Sequence, residues 1–369
     1  MEKQNRPVYY KDYLQLNKLL DSQSCKSKEV GNECHDETLF IIVHQAYELW
    51  FKQIIHELDS ILPIFSKESI PDSQMSIISA RLERIIHIQK VLVEHLVILE
   101  TMTPMDFLEF RDLLIPASGF QSVQFRMIEI KLGLGLKKRN TEFEGFILGR
   151  LAEEDRDHLL NIEKDKSLLE LLEKWLERVP FIQDGKFDFW REFQKSVDEM
   201  LKSDREIIEK NTSIPQEQKN IQLESLEVTK ETFFSLFDPK KYHSLVAEGK
   251  KTLSQKATLG ALFVMLYRDE PLLYLPYKVL NSLMDIDENF IAWRQRHALM
   301  AQRMLGTKIG TGGSSGHDYL KKAADKNRVF LDLFNLSSFI IPRSKLPVLP
   351  ESIKRELNFY FSENSKIKT

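Results

Sequence analysis

The chain has little glycine and almost no cysteine. Its 369 residues include 14 glycines and two cysteines, Cys25 and Cys34, whose spacing does not match a zinc site. Such low cysteine usage is typical of a reducing compartment. The N-terminus lacks the apolar segment of a signal peptide, and no apolar run approaches the length of a membrane span. We therefore expect a cytoplasmic protein with no membrane partner.

The chain also lacks an excess of charge of either sign. A formal net charge of −3, with 42% hydrophobic and 29% charged residues, is ordinary for a globular protein and indicates no nucleic-acid partner. Strand-like alternation is almost absent and helical periodicity is strong, so we predict an all-α fold with one large helical-bundle domain. The expected divisions are an N-terminal arm over 1–30, the bundle over 31–369, a polar helical excursion at about 188–250, and a helix over 272–305 broken near residues 284–287.

Five of the few glycines are clustered in one short run. They fall within eleven positions between Gly306 and Gly316, directly after a helical pattern that carries His297. The run lacks the ending of a P-loop, and it has neither the spacing nor the preceding strand of a dinucleotide-binding loop. Two interpretations stay open: a loop that binds a polar group through backbone N–H groups and hydroxyls such as that of Thr311, or a surface connector.

Two histidines share predicted helix faces with apolar residues. His44 lies on one face with Phe40 and Phe51, and His297 lies on one face with Trp293. Burial disfavours the charged form of histidine, and a neutral imidazole binds a metal or accepts a hydrogen bond. One such histidine is usually part of a core, but two on separate long helices suggest a shared site between long helices.

Arg111 lies on the apolar side of a helix for which the sequence contains a start signal. Thr103 provides a capping hydroxyl, Pro104 suits the first turn, and Asp106 favours the positive end of the helix dipole. Because a guanidinium keeps its charge, Arg111 needs an anionic partner. That partner is either an internal carboxylate or the carboxylate of a substrate.

The spacing of the nine histidines limits the kinds of metal site. None has a glutamate three residues before it, which excludes the paired motif of di-iron bundles, and zinc spacings are absent. A single inward histidine with aromatic and methionine neighbours suits haem, because the porphyrin supplies four ligands and the protein one. Nucleophilic catalysis has no local signature in this chain.

Three segments together resemble the tryptophan 2,3-dioxygenase family. They run from Asp36 to Gln53, from Phe110 to Arg126, and from Trp293 to Gly316. Three long motifs in the family's order make the resemblance specific. It extends over about residues 10–349, and animal-type members are the expected closest match.

The resemblance implies a homotetrameric enzyme with one haem b per subunit. It would insert O2 across the indole C2–C3 bond of L-tryptophan and form N-formyl-L-kynurenine, the first step of tryptophan catabolism by the kynurenine pathway. It implies His297 as the axial ligand of the haem iron, Trp293 as a haem contact, and His44 as the catalytic residue that contacts the indole N–H. The remaining substrate contacts that it implies are Phe40, Phe107, Arg111, Thr311 and, from a neighbouring subunit's arm, Tyr10, Tyr13 and Leu14.

Some alternatives stay open at this point. A haem- or tryptophan-binding sensor without turnover is the main one, and a purely helical scaffold would not account for the glycine cluster. His44 could act as a base or only orient the indole. Trp175 and Arg178 resemble part of a second, non-catalytic tryptophan site of animal members, but its charged partners are not matched around residues 70–73.

Overall fold

The computed structural model describes residues 7–136, 145, 148–180, 183–184, 187–306, 308 and 327–358. This part of the chain is helical apart from turns and one two-stranded antiparallel ribbon, so the all-α prediction is confirmed. None of its helices is both long and apolar enough to cross a membrane. The glycine cluster after Gly306, with Thr311, lies outside the described residues.

The secondary-structure elements are numbered in chain order. The helices are α1 (Tyr10–Tyr13), α2 (Leu16–Leu20), α3 (Lys26–Glu29), α4 (His35–Phe65), α5 (Asp72–Leu99), α6 (Pro104–Arg111), α7 (Val123–Leu132), α8 (Glu153–Ile162), α9 (Leu168–Leu176), α10 (Phe189–Lys210), α11 (Gln216–Phe237), α12 (Pro239–Ala247), α13 (Gln255–Leu266), α14 (Pro271–Leu305), α15 (Leu331–Asn335) and α16 (Glu351–Leu357). The strands are β1 (Gln183–Asp184) and β2 (Phe187–Asp188), and 3-10 turns lie at Asp112–Leu114, Gly119–Gln121, Leu336–Phe339 and Arg343–Lys345.

The chain forms two compact units. Unit 1 comprises Met1–Glu57, Ile85–Asp165 and Glu288–Arg328, and unit 2 comprises Leu58–Arg84, Lys166–Asp287 and Val329–Thr369. The predicted boundary between an arm and a bundle at residue 30 stays a prediction.

The predicted start of α6 in unit 1 is confirmed in atomic detail. The Thr103 hydroxyl accepts a hydrogen bond from the Asp106 backbone N–H, and the Asp106 carboxylate accepts one from the Thr103 N–H at 3.1 Å. This reciprocal capping satisfies two backbone donors that the first turn of a helix otherwise leaves without partners. The helix that ends at Arg111 is therefore fixed at its opposite end.

Unit 2 contains a close helix crossing and a long helical hairpin. A Cβ on Gly260 of α13 would lie 2.3 Å from the carbonyl oxygen of Leu176, so only glycine permits this approach. The hairpin of α10 and α11 is anchored by buried residues up to Leu201 and from Phe233 onwards, and no side chain from 202 to 232 is buried. These two helices occupy most of the polar excursion expected at about 188–250.

The break expected in α14 is wrong, because that helix is continuous through residues 284–287. Asp287, in this stretch, is buried, and its carboxylate accepts hydrogen bonds from the backbone N–H groups of Val329 at 3.0 Å and Phe330 at 3.1 Å. A buried carboxylate with two donors stabilises the helix where an exposed one would not. The tertiary contact therefore outweighed the local polarity of the sequence.

Helical periodicity also predicts one helix in the arm, from Tyr10 to Leu20. The arm instead forms α1 and α2, separated at Gln15, whose φ of 52° is left-handed. Four further helices, α3, α8, α12 and α16, lie outside the stretches in which helical periodicity is strong. All four are short, and a short helix gives a weak periodicity signal.

Candidate active site

Helices α4 and α6 of unit 1 form an aromatic wall. The ring of Phe40 on α4 lies 5.7 Å from that of Phe107 and 5.6 Å from that of Phe110, both on α6. Phe107 and Phe110 themselves meet edge to face at 5.5 Å. Aromatic rings at these separations attract one another and present a flat apolar surface. The surface has the chemistry needed to bind another aromatic ring.

His44 stands one helical turn beyond this wall, and its hydrogen bond fixes its tautomer. The ring packs against Phe40 at 4.1 Å, and Nδ1 lies 2.7 Å from the Phe40 carbonyl oxygen. A carbonyl only accepts, so Nδ1 carries the proton. The lone pair of Nε2 is then available to accept a proton or a hydrogen bond from another molecule.

His44 is accessible, unlike its neighbours on the same helix face. Its side chain is exposed, whereas Tyr47 and Phe51 on the same face are buried. Nevertheless the pKa of His44 is lowered, chiefly because the surrounding protein keeps water from the charged ring, and the hydrogen bond to Phe40 and the charge of Glu48 only partly oppose this. His44 is thus reachable by another molecule while most of the atoms around its ring belong to the protein.

The second histidine of the candidate site is His297 on α14. It is half-buried, its ring stacks on that of Trp293 at 5.2 Å with a 24° angle, and its Nδ1 is buried without a hydrogen-bond partner among the described residues. Burial, followed by the charge of His44, lowers its pKa to about 4. The second cause is the repulsion between the two imidazoles when both are protonated, so the two rings lie within electrostatic reach of each other. We call the site lined by Phe40, His44, Phe107, Trp293 and His297 the histidine recess.

Arg111 ends α6 next to the aromatic wall. Its side chain is 12% exposed, and Nη1 lies 3.5 Å from the carboxylate of Asp112, which is itself 81% exposed. An ion pair with so exposed a carboxylate is weak, because water competes for both charges. The guanidinium keeps a positive charge beside Phe107, one turn earlier on the same helix.

Two residues that hold the histidine recess in place, Tyr47 and Glu48, were not predicted from the sequence as functional residues. Tyr47 donates its hydroxyl to the Leu92 carbonyl at 2.6 Å, and its ring meets that of Trp293 edge to face at 6.1 Å. Burial raises the pKa of Tyr47 to about 12. Glu48 accepts hydrogen bonds from the Ser122 hydroxyl at 2.6 Å and the Gln124 amide at 2.8 Å. The quoted motifs contained these residues, but only the fold brings the two segments together.

A buried charge cluster behind Trp293 also escaped sequence reasoning. Glu129 on α7 binds Arg126 at 2.5 Å and Arg294 on α14 at 2.8 Å, and all three side chains are buried. The signal available in the sequence was the (i, i+3) spacing of Arg126 and Glu129 on an otherwise apolar helix face. The partner on α14, 165 residues away, could not be read from spacing.

The arm residues do not reach the histidine recess within the single chain. Tyr10 and Tyr13 are each 75% exposed, Leu14 is 41% exposed, and α1 and α2 bury no residue. Their role in a neighbouring subunit's pocket stays a prediction, as do the roles of the other expected site residues. Thr311 lies outside the described residues.

At the suspected second tryptophan site in unit 2, Trp175 and Arg178 contact other residues of the same chain. Trp175 meets Phe65 edge to face at 5.8 Å, and Arg178 donates to the backbone carbonyls of Lys67 and Glu68. The guanidinium is thus already engaged with the chain itself.

The histidine recess fits a haem by the chemistry of its donor set. It offers one neutral, half-buried imidazole stacked on an indole, and its Nδ1 has no hydrogen bond within the described residues. A porphyrin needs only an axial ligand from the protein. Among the residues that the structure describes, no three His, Cys, Asp or Glu side chains are grouped so that they could bind a metal ion without a porphyrin. Fold and site together define an all-α protein with an imidazole-lined recess, suited to an oxidoreductase that binds an aromatic substrate.

Comparison with known proteins gives the family. The model of the tryptophan 2,3-dioxygenase family matches residues 2–340. A tryptophan 2,3-dioxygenase of Bdellovibrio bacteriovorus is 50% identical over 96% of this chain and 99% of its own length. A tryptophan 2,3-dioxygenase of Alteromonas mediterranea is 48% identical over 98% of this chain and 99% of its own length. Tryptophan 2,3-dioxygenase B of Danio rerio is 44% identical over 94% of this chain and 86% of its own length. The chain belongs to the tryptophan 2,3-dioxygenase family.

The family expectation from the three motifs is therefore confirmed. Of these three relatives, the two bacterial proteins are more similar to the chain than the animal one. The expected preference for animal-type members is not supported by these identities.

Proposed function

We propose that the histidine recess is where this family member performs its reaction, the insertion of both oxygen atoms of O2 across the indole C2–C3 bond of L-tryptophan. The product is N-formyl-L-kynurenine, which begins tryptophan catabolism by the kynurenine pathway. The observation that carries the proposal is the aromatic wall formed by Phe40 and Phe107, with His44 packed against it and Arg111 at the end of the helix that carries Phe107. Both atoms of O2 enter the product, so turnover needs no external electron donor.

His297 and Trp293 would hold haem b, one per subunit. The lowered pKa of His297 keeps its imidazole neutral at physiological pH, which is the form that ligates iron. Stacking on Trp293 restricts rotation of the ring, so the imidazole is oriented before the haem arrives. When bound, the haem iron supplies the binding and activation of O2.

His44 would bind the indole N–H on the opposite side of the site. Its Nδ1 proton is committed to the Phe40 carbonyl, so Nε2 is left as an acceptor for the indole N–H. Phe40 and Phe107 would contact the faces of the indole and exclude water. The same acceptor could remove the N–H proton as a base, because the lowered pKa of His44 keeps it unprotonated.

Arg111 would hold the tryptophan carboxylate. Its permanent charge lies at the end of α6 next to Phe107, and a guanidinium binds a carboxylate through two parallel hydrogen bonds. Thr311 would contact the carboxylate and ammonium groups. With both ends of the substrate held, most of the protein's contribution is positioning.

Tyr10, Tyr13 and Leu14 would complete the pocket of a neighbouring subunit in a homotetramer. The support is their exposure, because a run of exposed aromatic and aliphatic side chains gains from burial against another chain. Cytoplasmic location is the remaining part of the proposal, and low cysteine usage supports it.

The test replaces the proposed iron ligand. We expect His297→Ala, supplied with haem, to lose the Soret band of the wild-type holoprotein and to form no formylkynurenine from L-tryptophan in air. The control is His87→Ala, on the exposed side of α5, which should keep both. Full haem occupancy with unchanged coordination in His297→Ala would overturn the ligand assignment. A wild-type Soret band that shifts with tryptophan but gives no product would instead favour a sensor.

A further inference from the structure

Arg294 lies one helical turn before His297 and is almost completely buried. Its side chain on α14 is 4% exposed. Nη2 donates to Glu129 on α7 at 2.8 Å, and Nη1 donates to the backbone carbonyl of Asn327 at 2.9 Å. One rigid guanidinium therefore holds two segments that are distant in sequence.

Glu129 is the centre of this arrangement. It is 2% exposed, and its second carboxylate oxygen accepts from Arg126 at 2.5 Å. Charges removed from water are costly unless they are paired with good geometry, so each member constrains the positions of the others. The planar fork of arginine adds a direction to this constraint that a lysine could not supply.

The cluster is mechanically connected to the proposed iron ligand. The guanidinium of Arg294 lies 6.0 Å from the centre of the Phe125 ring. Phe125 packs against Trp293 at 5.1 Å, and Trp293 stacks on His297 at 5.2 Å. Close-packed rings transmit small displacements because no free volume absorbs them. A change in the direction of Arg294 therefore reaches His297 both through the helix and through these rings.

The second hydrogen bond of Arg294 is the one to Asn327, which follows the glycine cluster in the sequence. Asn327 is the first described residue after the stretch that contains Thr311. Its carbonyl oxygen accepts from Arg294, which ties Asn327 to α14. The same side chain thus restrains the helix of the proposed haem ligand and the backbone at Asn327.

We propose that Arg294, oriented by Glu129, is a positioning residue for His297, the proposed haem ligand. It sets the direction of His297 through α14 and Trp293, and it sets the backbone position at Asn327. The proposal rests on the function proposed above for the histidine recess.

The experiment compares wild-type holoenzyme with Arg294→Lys and Glu129→Gln. Arg296→Lys is the matched control, because Arg296 is on the same helix but binds Glu100 at 3.1 Å in a partly exposed ion pair. Four quantities are measured: haem content, the iron–histidine stretching band of the ferrous protein, the Kd of L-tryptophan by spectral titration, and kcat and KM. We expect Arg294→Lys to keep its haem but to shift the iron–histidine band and to lower kcat/KM about tenfold, the lower end of the loss in activity seen when a group that orients a metal ligand is lost. Arg296→Lys should match the wild type.

Two outcomes would overturn the proposal. One is an Arg294→Lys enzyme with the wild-type iron–histidine band and kcat/KM. The other is a variant that unfolds at lower temperature while those two quantities are unchanged, since the pair would then be only structural. If the single variants do not fold, the triple variant Arg126→Gln/Glu129→Gln/Arg294→Gln decides, because it removes all three charges of the cluster together. A wild-type protein without a Soret band or product would overturn the proposed function itself, which separates the two failures.

Discussion

At the scale of single residues, the positions of the site were more predictable than their chemical states. The four-residue spacing of Phe40 and His44 was enough to place them on one helix face, and both line the histidine recess. The protonation of His44 was not predictable, since it depends on the 2.7 Å contact between Nδ1 and a carbonyl oxygen. Its accessibility was not predictable from spacing either, because a periodic pattern does not distinguish a core from the wall of a recess.

The lowered pKa of His44 sets the pH dependence of turnover. Burial depresses the folded-state pKa below the ordinary 6.5, so His44 stays neutral as the pH falls through 6.5 and becomes protonated only at lower pH. We expect kcat/KM for tryptophan to be flat through pH 6.5 and then to fall about tenfold per pH unit as the acceptor is lost. In His44→Gln this acidic limb should disappear. A limb centred above 6.5 would contradict the assignment.

Arg111 gives the second prediction at this scale. Arg111→Ala should weaken tryptophan binding by roughly 2–5 kcal/mol, the usual cost of truncating one partner of a buried charge pair. Spectral titration of the holoenzyme measures it. Asp112→Asn is the control, because Asp112 is exposed and its ion pair with Arg111 is weak, and it should change the affinity little. An unaltered affinity in Arg111→Ala would make the arginine structural.

At the scale of elements, long helices with strong periodicity or a capping sequence were predictable. Features that depend on contacts between distant segments were not. The bounds of α4 and the cap of α6 follow from periodicity and from Thr103 and Asp106. The continuity of α14 depends on backbone donors of Val329 and Phe330 that reach Asp287 from more than forty residues away. No local pattern contains that information.

Gly260 provides a stability prediction for an element contact. Gly260→Ala should destabilise the protein by about 1–3 kcal/mol, because its Cβ would lie 2.3 Å from the Leu176 carbonyl oxygen and the two helices would have to separate. Chemical denaturation measures the change. The control is Gly145→Ala, at an exposed helical glycine whose added Cβ would have no neighbour within 4 Å. It should be neutral or slightly stabilising. Equal effects at both positions would contradict the close crossing.

At the scale of the whole molecule, the helical class was predictable, and the two compact units were not. Composition and periodicity exclude a sheet-based fold, but grouping into units depends on contacts between distant segments. Glu129 and Arg294, which are 165 residues apart, are one such contact. The family resemblance supplied the roles of the site residues, which periodicity alone could not assign.

The N-terminal arm gives a prediction about assembly. Deleting residues 1–20 should reduce turnover at least as strongly as it reduces the melting temperature, because α1 and α2 bury no residue within their own chain. Activity, thermal unfolding and light scattering on the same samples separate these effects. A truncated protein with full activity would exclude an arm-completed pocket.

The hairpin of α10 and α11 has a practical consequence for engineering. Its turn at residues 211–215 lies beyond the last buried side chains, so the backbone there carries none of the packing of unit 2. Turns of this kind tolerate insertions well. A fluorescent reporter or an affinity tag could be fused there internally, leaving both chain termini, including the arm, in their native form.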